Sequence, residues 1–281
     1  MPGDSCASPR TGLPDMTNTL LPPVSQPTES ASIFELHRVC KTFNGTKALH
    51  KIDLRIPNGC VTTIIGPSGC GKTVLLKHLI GLIRPDAGEV FFHGQRVDTQ
   101  TESQLMELRR RCGFLFQAGA LFDSQTVGEN VAFPLIQHRR DLKPSNLREL
   151  VLQKLELVGL AHKIDQLPSE LSGGQQKRVA LARAVALEPE VILYDEPTTG
   201  LDPIRSETIN ELILKLQQEL KITSIVVTHD MKSVYRVADK VVMLDSGEII
   251  ANGNVRDIRE SLDAKVQGFL AGDNKAFAID N

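Results

Sequence analysis

From Ile33 onward, apolar and polar residues alternate through IFELHRVCKTF and again through LHKIDLRIP, with Gly45 and residues 57–59 as turn punctuation. That period-two pattern predicts a pair of half-buried antiparallel strands. VTTIIG is different, a short continuous apolar run of the kind that forms a strand buried on both faces. It leads through glycines into TVLLKHLIGLI, where Leu75, Leu76, Leu79, Ile80 and Ile83 recur at helical spacing and Pro85 predicts the stop. Helices are expected over 103–112 and 145–187. VILYD, SIVVTH and KVVMLD predict further short buried strands, the first two separated by an amphipathic helix over 203–220. The ends of the chain read as sheet and the middle as helix. The expected architecture is therefore an α/β core from about 32–115 and 188–258, with a mainly helical insertion over 116–187.

Composition narrows the function without choosing it. The chain has 281 residues and a formal net charge of -2, so no overall positive field draws it to nucleic acid or anionic lipid, and any such contact must be local. Its five cysteines (Cys6, Cys40, Cys60, Cys70, Cys112) are scattered and form no CxxC, which fits a reducing, cytosolic setting better than a disulfide framework or a zinc site. No stretch approaches the roughly 18 apolar residues of a membrane-spanning helix, and no secretory signal pattern opens the chain. Residues 1–31 hold six of the fifteen prolines and predict a disordered tail. Residues 259–281 form an extension in which Val266, Phe269 and Leu270 fall on one helical stripe, followed by Phe277 and Ile279. Two expectations stand for that stripe: packing onto its own subunit, or docking on a neighbouring chain.

The chemistry sits in three stretches. GPSGCGKT (residues 66–73) fits the phosphate-loop pattern GxxxxGK[ST] and lies after a buried strand and before a helix, the context that pattern requires. Its glycines let backbone amides converge on phosphate at a helix N-terminus, Lys72 supplies a cation, and Thr73 a hydroxyl for Mg2+. The same amides are expected to favour thiolate at Cys70. VILYDEP delivers Asp195 and Glu196 to a strand's C-terminal edge, Asp195 as a Mg2+ ligand and Glu196 as the group that polarises attacking water. LSGGQQKR (residues 171–178) holds two glycines, a serine and a basic end, but no nucleophile paired with a base.

Residues 171–175 match in full the LSGGQ signature of the ATP-binding cassette (ABC) family, which the chain resembles over roughly 33–255. The resemblance implies a P-loop NTPase (ABC ATPase) core of α/β class, with an antiparallel β subdomain and a helical subdomain. It implies ATP and Mg2+ as cofactors, and a second copy of the chain whose signature closes over the γ-phosphate. Ser172, Gly173, Gly174 and Gln175 would serve that partner site, where donors act electrostatically. Gly66, Pro67, Ser68, Gly69, Cys70, Gly71, Lys72, Thr73 and Val74 would hold phosphate. Phe43 matches the aromatic that stacks on adenine, and Gln117 in FLFQAG the glutamine that reaches Mg2+ and water. Gly200, Leu201 and Asp202 match the D-loop, and His229 the switch histidine.

A narrower likeness lies in QAGALFDSQTVGENVAFP and in the phrases around the two phosphate motifs. These are similar to ATPase subunits of Mla-type transporters, which work with MCE-domain proteins to move phospholipids or other lipids between membranes. That implies a transmembrane permease, an MCE-domain lipid-binding protein and a small accessory subunit as partners, and a peripheral place on the cytoplasmic face of the inner membrane. Leu121, Phe122, Val127 and Phe133 would partly line the permease-docking groove, or any one of them would instead pack in the core of the helical insertion. Two alternatives stay open: a cassette for another cargo, and a non-transport ABC ATPase acting on nucleic acid, supported by arginines at 109–111 and at 139, 140 and 148.

Overall fold

The computed structural model describes residues 32–139 and 142–272; the expected tail over 1–31, together with Phe277 and Ile279, lies outside the described residues. Strands β1 (Ser32–Phe43) and β2 (Thr46–Pro57) form the expected antiparallel pair. They turn at Asn44 and Gly45, both at positive φ (48° and 82°), the conformation a tight hairpin needs to follow strand twist. β3 (Val61–Ile65) is buried throughout and feeds a glycine loop into α1 (Lys72–Leu79). The chain returns through β4 (Ala87–Phe92) and β5 (Gln95–Arg96) to the first sheet, then forms α2 (Glu102–Arg110) and β6 (Cys112–Leu115).

The insertion follows as α3 (Val127–His138), α4 (Pro144–Leu157) and α5 (Gly173–Ala184). Then come β7 (Val191–Asp195), α6 (Pro203–Leu220), β8 (Thr223–Val227), α7 (Met231–Val237), β9 (Lys240–Asp245) and β10 (Glu248–Gly253). Helices α8 (Val255–Arg259) and α9 (Ala264–Ala271) end the described chain.

Two sheets result. The antiparallel one runs β2-β1-β4-β5, and the other runs β10-β9-β3-β8-β7-β6, parallel from β9 to β6 with β10 antiparallel at its edge. Because side chains alternate across a strand, β7 feeds two cores. Ile192 and Tyr194 pack with α5 and α6, while Val191 and Leu193 pack with α1 and the antiparallel sheet. The parallel strands all point one way, so the loops after β3, β6, β7 and β8 gather along one edge, where open α/β sheets bind ligands.

Three expectations change. Helix α1 ends at Leu79 rather than running to Pro85, because Gly81 turns the chain at φ 64° with Leu105 so close that a Cβ there would lie 2.7 Å from its Cδ2. The span 145–187 is two α-helices, α4 and α5, separated by short 3-10 turns at Ala161–Lys163 and Pro168–Glu170. Cys112 belongs not to a helix but to β6, which adds a parallel strand beside β7.

Candidate nucleotide site at the strand ends

The phosphate loop is held by close backbone packing. A Cβ on Gly66 (φ 143°) would lie 2.1 Å from the Leu244 carbonyl oxygen, and one on Gly71 (φ 107°) 2.4 Å from that of Ala48. Only glycine allows the loop this near β9 and β2. Lys72 is buried and its Nζ donates to the carbonyls of Gly66 and Pro67 at 2.8 and 2.9 Å. These bonds hold the ammonium across the mouth of its own loop. Thr73 Oγ1 donates to Asp195 Oδ1 at 3.0 Å, so the end of β7 meets the first turn of α1 through two hard oxygens.

Around them lies a cleft of about 330 Å³. Ser68, Gly69, Gly71, Lys72, Thr73 and Val74 line it from the loop and α1, and Gln117, Glu196 and His229 reach it from beyond β6, β7 and β8. Asp195 is buried just behind. Burial holds its carboxyl above the ordinary carboxylate range, the hydrogen bond from Thr73 opposes this, and the neighbouring charge of Glu196 adds to the rise. Glu196 sits at φ 51°, a costly conformation for a residue with a Cβ, and its carboxylate meets both His229 and the Thr199 hydroxyl. Thr199 carried no sequence signal beyond its place in DEPTTG.

Other expected residues stand apart from this cleft. Ser172 caps α5, its side chain accepting from the Gln175 amide while the Gln175 side chain accepts from the Ser172 amide. A Cβ on Gly173 would meet nothing within 4 Å. Ser172, Gly174 and Gln175 line a separate, small cleft with Arg178 and Arg205, sharing no residue with the phosphate-loop cleft. Asp202 caps α6, accepting from the Arg205 amide at 2.9 Å. Phe43 ends β1, 43% exposed and with Lys41 Nζ 5.4 Å from its ring centroid, outside the cleft lining.

Cys70 corrects an expectation. Its side chain is only 6% exposed and belongs to the core around α1, and burial pushes its thiol up, against the Lys72 charge that acts to lower it. Desolvation outweighs the loop amides here, so the thiolate is disfavoured. Only the backbone of Cys70 is left to face phosphate.

A glycine loop between β3 and α1, a carboxylate pair after β7 and a capped signature helix on a mixed α/β scaffold define a P-loop ATPase of cassette type. The chain belongs to the ABC transporter family, whose profile matches residues 49–199. It is 45% identical over 224 residues to the intermembrane phospholipid transport system ATP-binding protein MlaF of Haemophilus influenzae, spanning 79% of this chain and 84% of that one. It is 39% identical over 238 residues to the "Probable ribonucleotide transport ATP-binding protein mkl" of Mycobacterium tuberculosis, spanning 85% of this chain and 66% of that one. Among solved structures, the dimeric post-hydrolysis state of the ATP-binding cassette MJ0796, bound to ADP and Pi, superposes with a TM-score of 0.74 at 35% identity, covering 79% of this chain and 99% of that chain. ATP and Mg2+ are the nucleotide and cofactor of this class. The residues fit them: glycine at 66 and 71 lets the loop seat against β9 and β2, where a Cβ would strike backbone, and Thr73 and Asp195 offer oxygen donors to a hard cation.

Proposed function

We propose that the chain is the ATP-hydrolysing subunit of a membrane transporter that moves phospholipid, and that two copies enclose two ATP between them. The observation that carries this is the separation of the two clefts. In one chain the phosphate loop and the signature line different cavities, which supports a reading in which each copy holds half of each site. In this reading residues 32–258 are the ATPase domain, 116–187 its helical subdomain and 259–281 an extension. Residues 66–74 bind the phosphates, and Thr73, Asp195 and Gln117 hold Mg2+, which neutralises phosphate charge when bound. Phe43 stacks on adenine. Glu196 takes the proton of the attacking water, His229 contacts the γ-phosphate, and Lys72 stabilises its charge. Ser172, Gly173, Gly174, Gln175 and Asp202 act at the interface with the second copy.

The permease would dock in a groove of about 370 Å³ beside α3. Phe122 and Phe133 support this, since the residues are 39% and 37% exposed and their ring centroids stand 4.8 Å apart. Val127 and Leu121 do not join them: Val127 is fully buried and Leu121 packs on the same internal core. No helix among the described residues is long and apolar enough to cross a membrane. In this reading the chain attaches peripherally, through such partners, at the cytoplasmic face of the inner membrane. An MCE-domain lipid-binding protein and a small accessory subunit complete the proposed assembly. In the extension, Val266 is buried in its own subunit with Phe269 and Leu270 packed beside it, which favours self-packing of that stripe.

The nucleic-acid alternative loses its support. Arg109, Arg110 and Arg111 pair with Glu102, Glu107 and Glu190 at 2.8, 3.3 and 2.6 Å, and Arg148 faces Asp165; Arg140 lies outside the described residues. Cargo is the open contrast, since one relative is named for phospholipid and another for ribonucleotide. Purification of the tagged chain from native membranes, followed by mass spectrometry of associated chains and lipids, tests the reading. A permease, an MCE-domain protein and enriched phospholipid are expected. A complex without phospholipid enrichment overturns the cargo, and a chain purified with nucleic acid and no membrane protein overturns the transport role.

A further inference from the structure

Lys177 lies on α5, five residues after Ser172, and is only 7% exposed. Its Nζ donates to the carbonyls of Pro197 at 2.9 Å and Thr199 at 2.6 Å, with a longer contact of 3.4 Å to that of Glu196. An ammonium has three donors, and here all three point at carbonyls of one four-residue turn. A buried charge is costly unless fully hydrogen-bonded, so this arrangement is specific to the shape of that turn. The turn includes Glu196 at φ 51° and Thr199, whose hydroxyl bonds the Glu196 carboxylate at 3.0 Å, and Gly200 at φ 78° follows it. Burial pushes the Lys177 ammonium down, opposed by the charge of Glu196, as expected for a cation held mainly by backbone dipoles. Over five residues an α-helix advances about 7.5 Å as a stiff rod. The cap that would face the partner's nucleotide is thus rigidly joined to the turn that sets the general base.

We propose that Lys177 is a positioning residue that ties the signature end of α5 to the turn carrying Glu196, so that closure of the signature on one nucleotide sets the base for the other. The inference rests on reading Glu196 as the base and Ser172 as a donor to the second copy. Without the ammonium, three carbonyls lose their common partner and the strained turn is free to relax. Displacement of a catalytic group by about 1 Å can cost about 10²-fold in rate.

The test uses the full chain carrying Lys177→Met, Lys177→Arg or Lys177→Gln. Lys177→Met is expected to lower kcat roughly 10- to 100-fold while the KM for ATP stays within about threefold, a split that marks loss of transition-state positioning rather than of nucleotide binding. Lys177→Arg keeps the charge and recovers part of kcat; Lys177→Gln, neutral, recovers less. In a Glu196→Gln background, Lys177→Met lowers the fraction of ATP-dependent dimer seen by light scattering. Wild-type turnover of Lys177→Met overturns the inference, as does an equal fall in kcat and ATP affinity that arginine fails to recover. If the methionine chain does not fold, the same split between arginine and glutamine decides. If Glu196→Gln alone hydrolyses ATP normally, the base assignment fails, whereas a trapped Glu196→Gln dimer with an unaffected Lys177→Met chain sinks only the tie.

Discussion

Glu196 Oε1 lies 3.0 Å from His229 Nδ1, a contact across 33 residues made because β7 and β8 are neighbours and end together. An ionised carboxylate only accepts, so Nδ1 carries the proton and donates to it. The other carboxylate oxygen accepts from Thr199 Oγ1, also at 3.0 Å. The Glu196 carboxylate is thus held by partners from two loops. Glu196→Gln keeps the shape and removes the charge, so ATP affinity should persist while hydrolysis falls by about 10² to 10⁴. The nucleotide-bound dimer should then accumulate on size exclusion. Near-normal phosphate release would remove Glu196 from the role of base.

Gly71 and Gly69 separate two kinds of glycine requirement. Gly69 has φ 81° but open space where a Cβ would stand, so Gly69→Ala should cost only backbone strain, about 1 to 2 kcal/mol. Gly71→Ala adds a 2.4 Å approach to the Ala48 carbonyl, which cannot swing away as a side chain could. Melting temperatures should fall in the order wild type, Gly69→Ala, Gly71→Ala, and ATP binding should be lost in the last. Equal melting of the two variants would contradict the packing of the loop against β2.

The strands and loops that carry the site were legible where local pattern and tertiary role agree. The helix expected over 203–220 matches α6 because Asp202 caps it, Pro203 opens it and no glycine interrupts it. The order β3, glycine loop, α1 was equally plain. The end of α1 was not, because Gly81 stops the helix through a contact with Leu105 that no local pattern encodes. The sequence pattern left Val127 open between groove and core, and it occupies the first turn of α3 facing inward. Lys177 read as a basic end because its partners lie about a turn beyond β7, far along the chain. Direction, rather than residue type, was the missing information.

Cys70 follows from the same lesson. With its sulfur in the core and its thiol pushed up by burial, maleimide should modify it slowly in the native chain and readily after unfolding. Peptide mass spectrometry after timed labelling should show Cys70 at least about tenfold slower in the native state, with or without Mg-ATP, since thiolate is the reactive form. Rapid native labelling that Mg-ATP blocks would restore the exposed-thiolate reading.

His78 gives the fold a pH dependence separate from catalysis. It is buried on α1; Nδ1 donates to the Val74 carbonyl at 2.7 Å, and buried Nε2 has no hydrogen-bond partner. Burial pushes the imidazole below its ordinary 6.5; the Val74 bond and Asp86 oppose this, and Lys41 adds to it. A proton on Nε2 would place a charged, unpaired N–H in the core. The folded chain therefore binds that proton more weakly than the unfolded chain. As pH falls through 6.5 the unfolded state gains a proton that the native state refuses, so this contribution to stability is complete above 6.5 and declines below it. His78→Leu removes the titration at similar volume, and the Val74 carbonyl keeps its place in the helix ladder. Urea midpoints measured between pH 8 and pH 5, about where carboxylates of ordinary pKa stay ionised, should fall toward acid in the wild type and fall less in His78→Leu. Parallel acid slopes for the two chains would mean that His78 takes up its proton in the folded state, and the buried neutral imidazole would have to be abandoned.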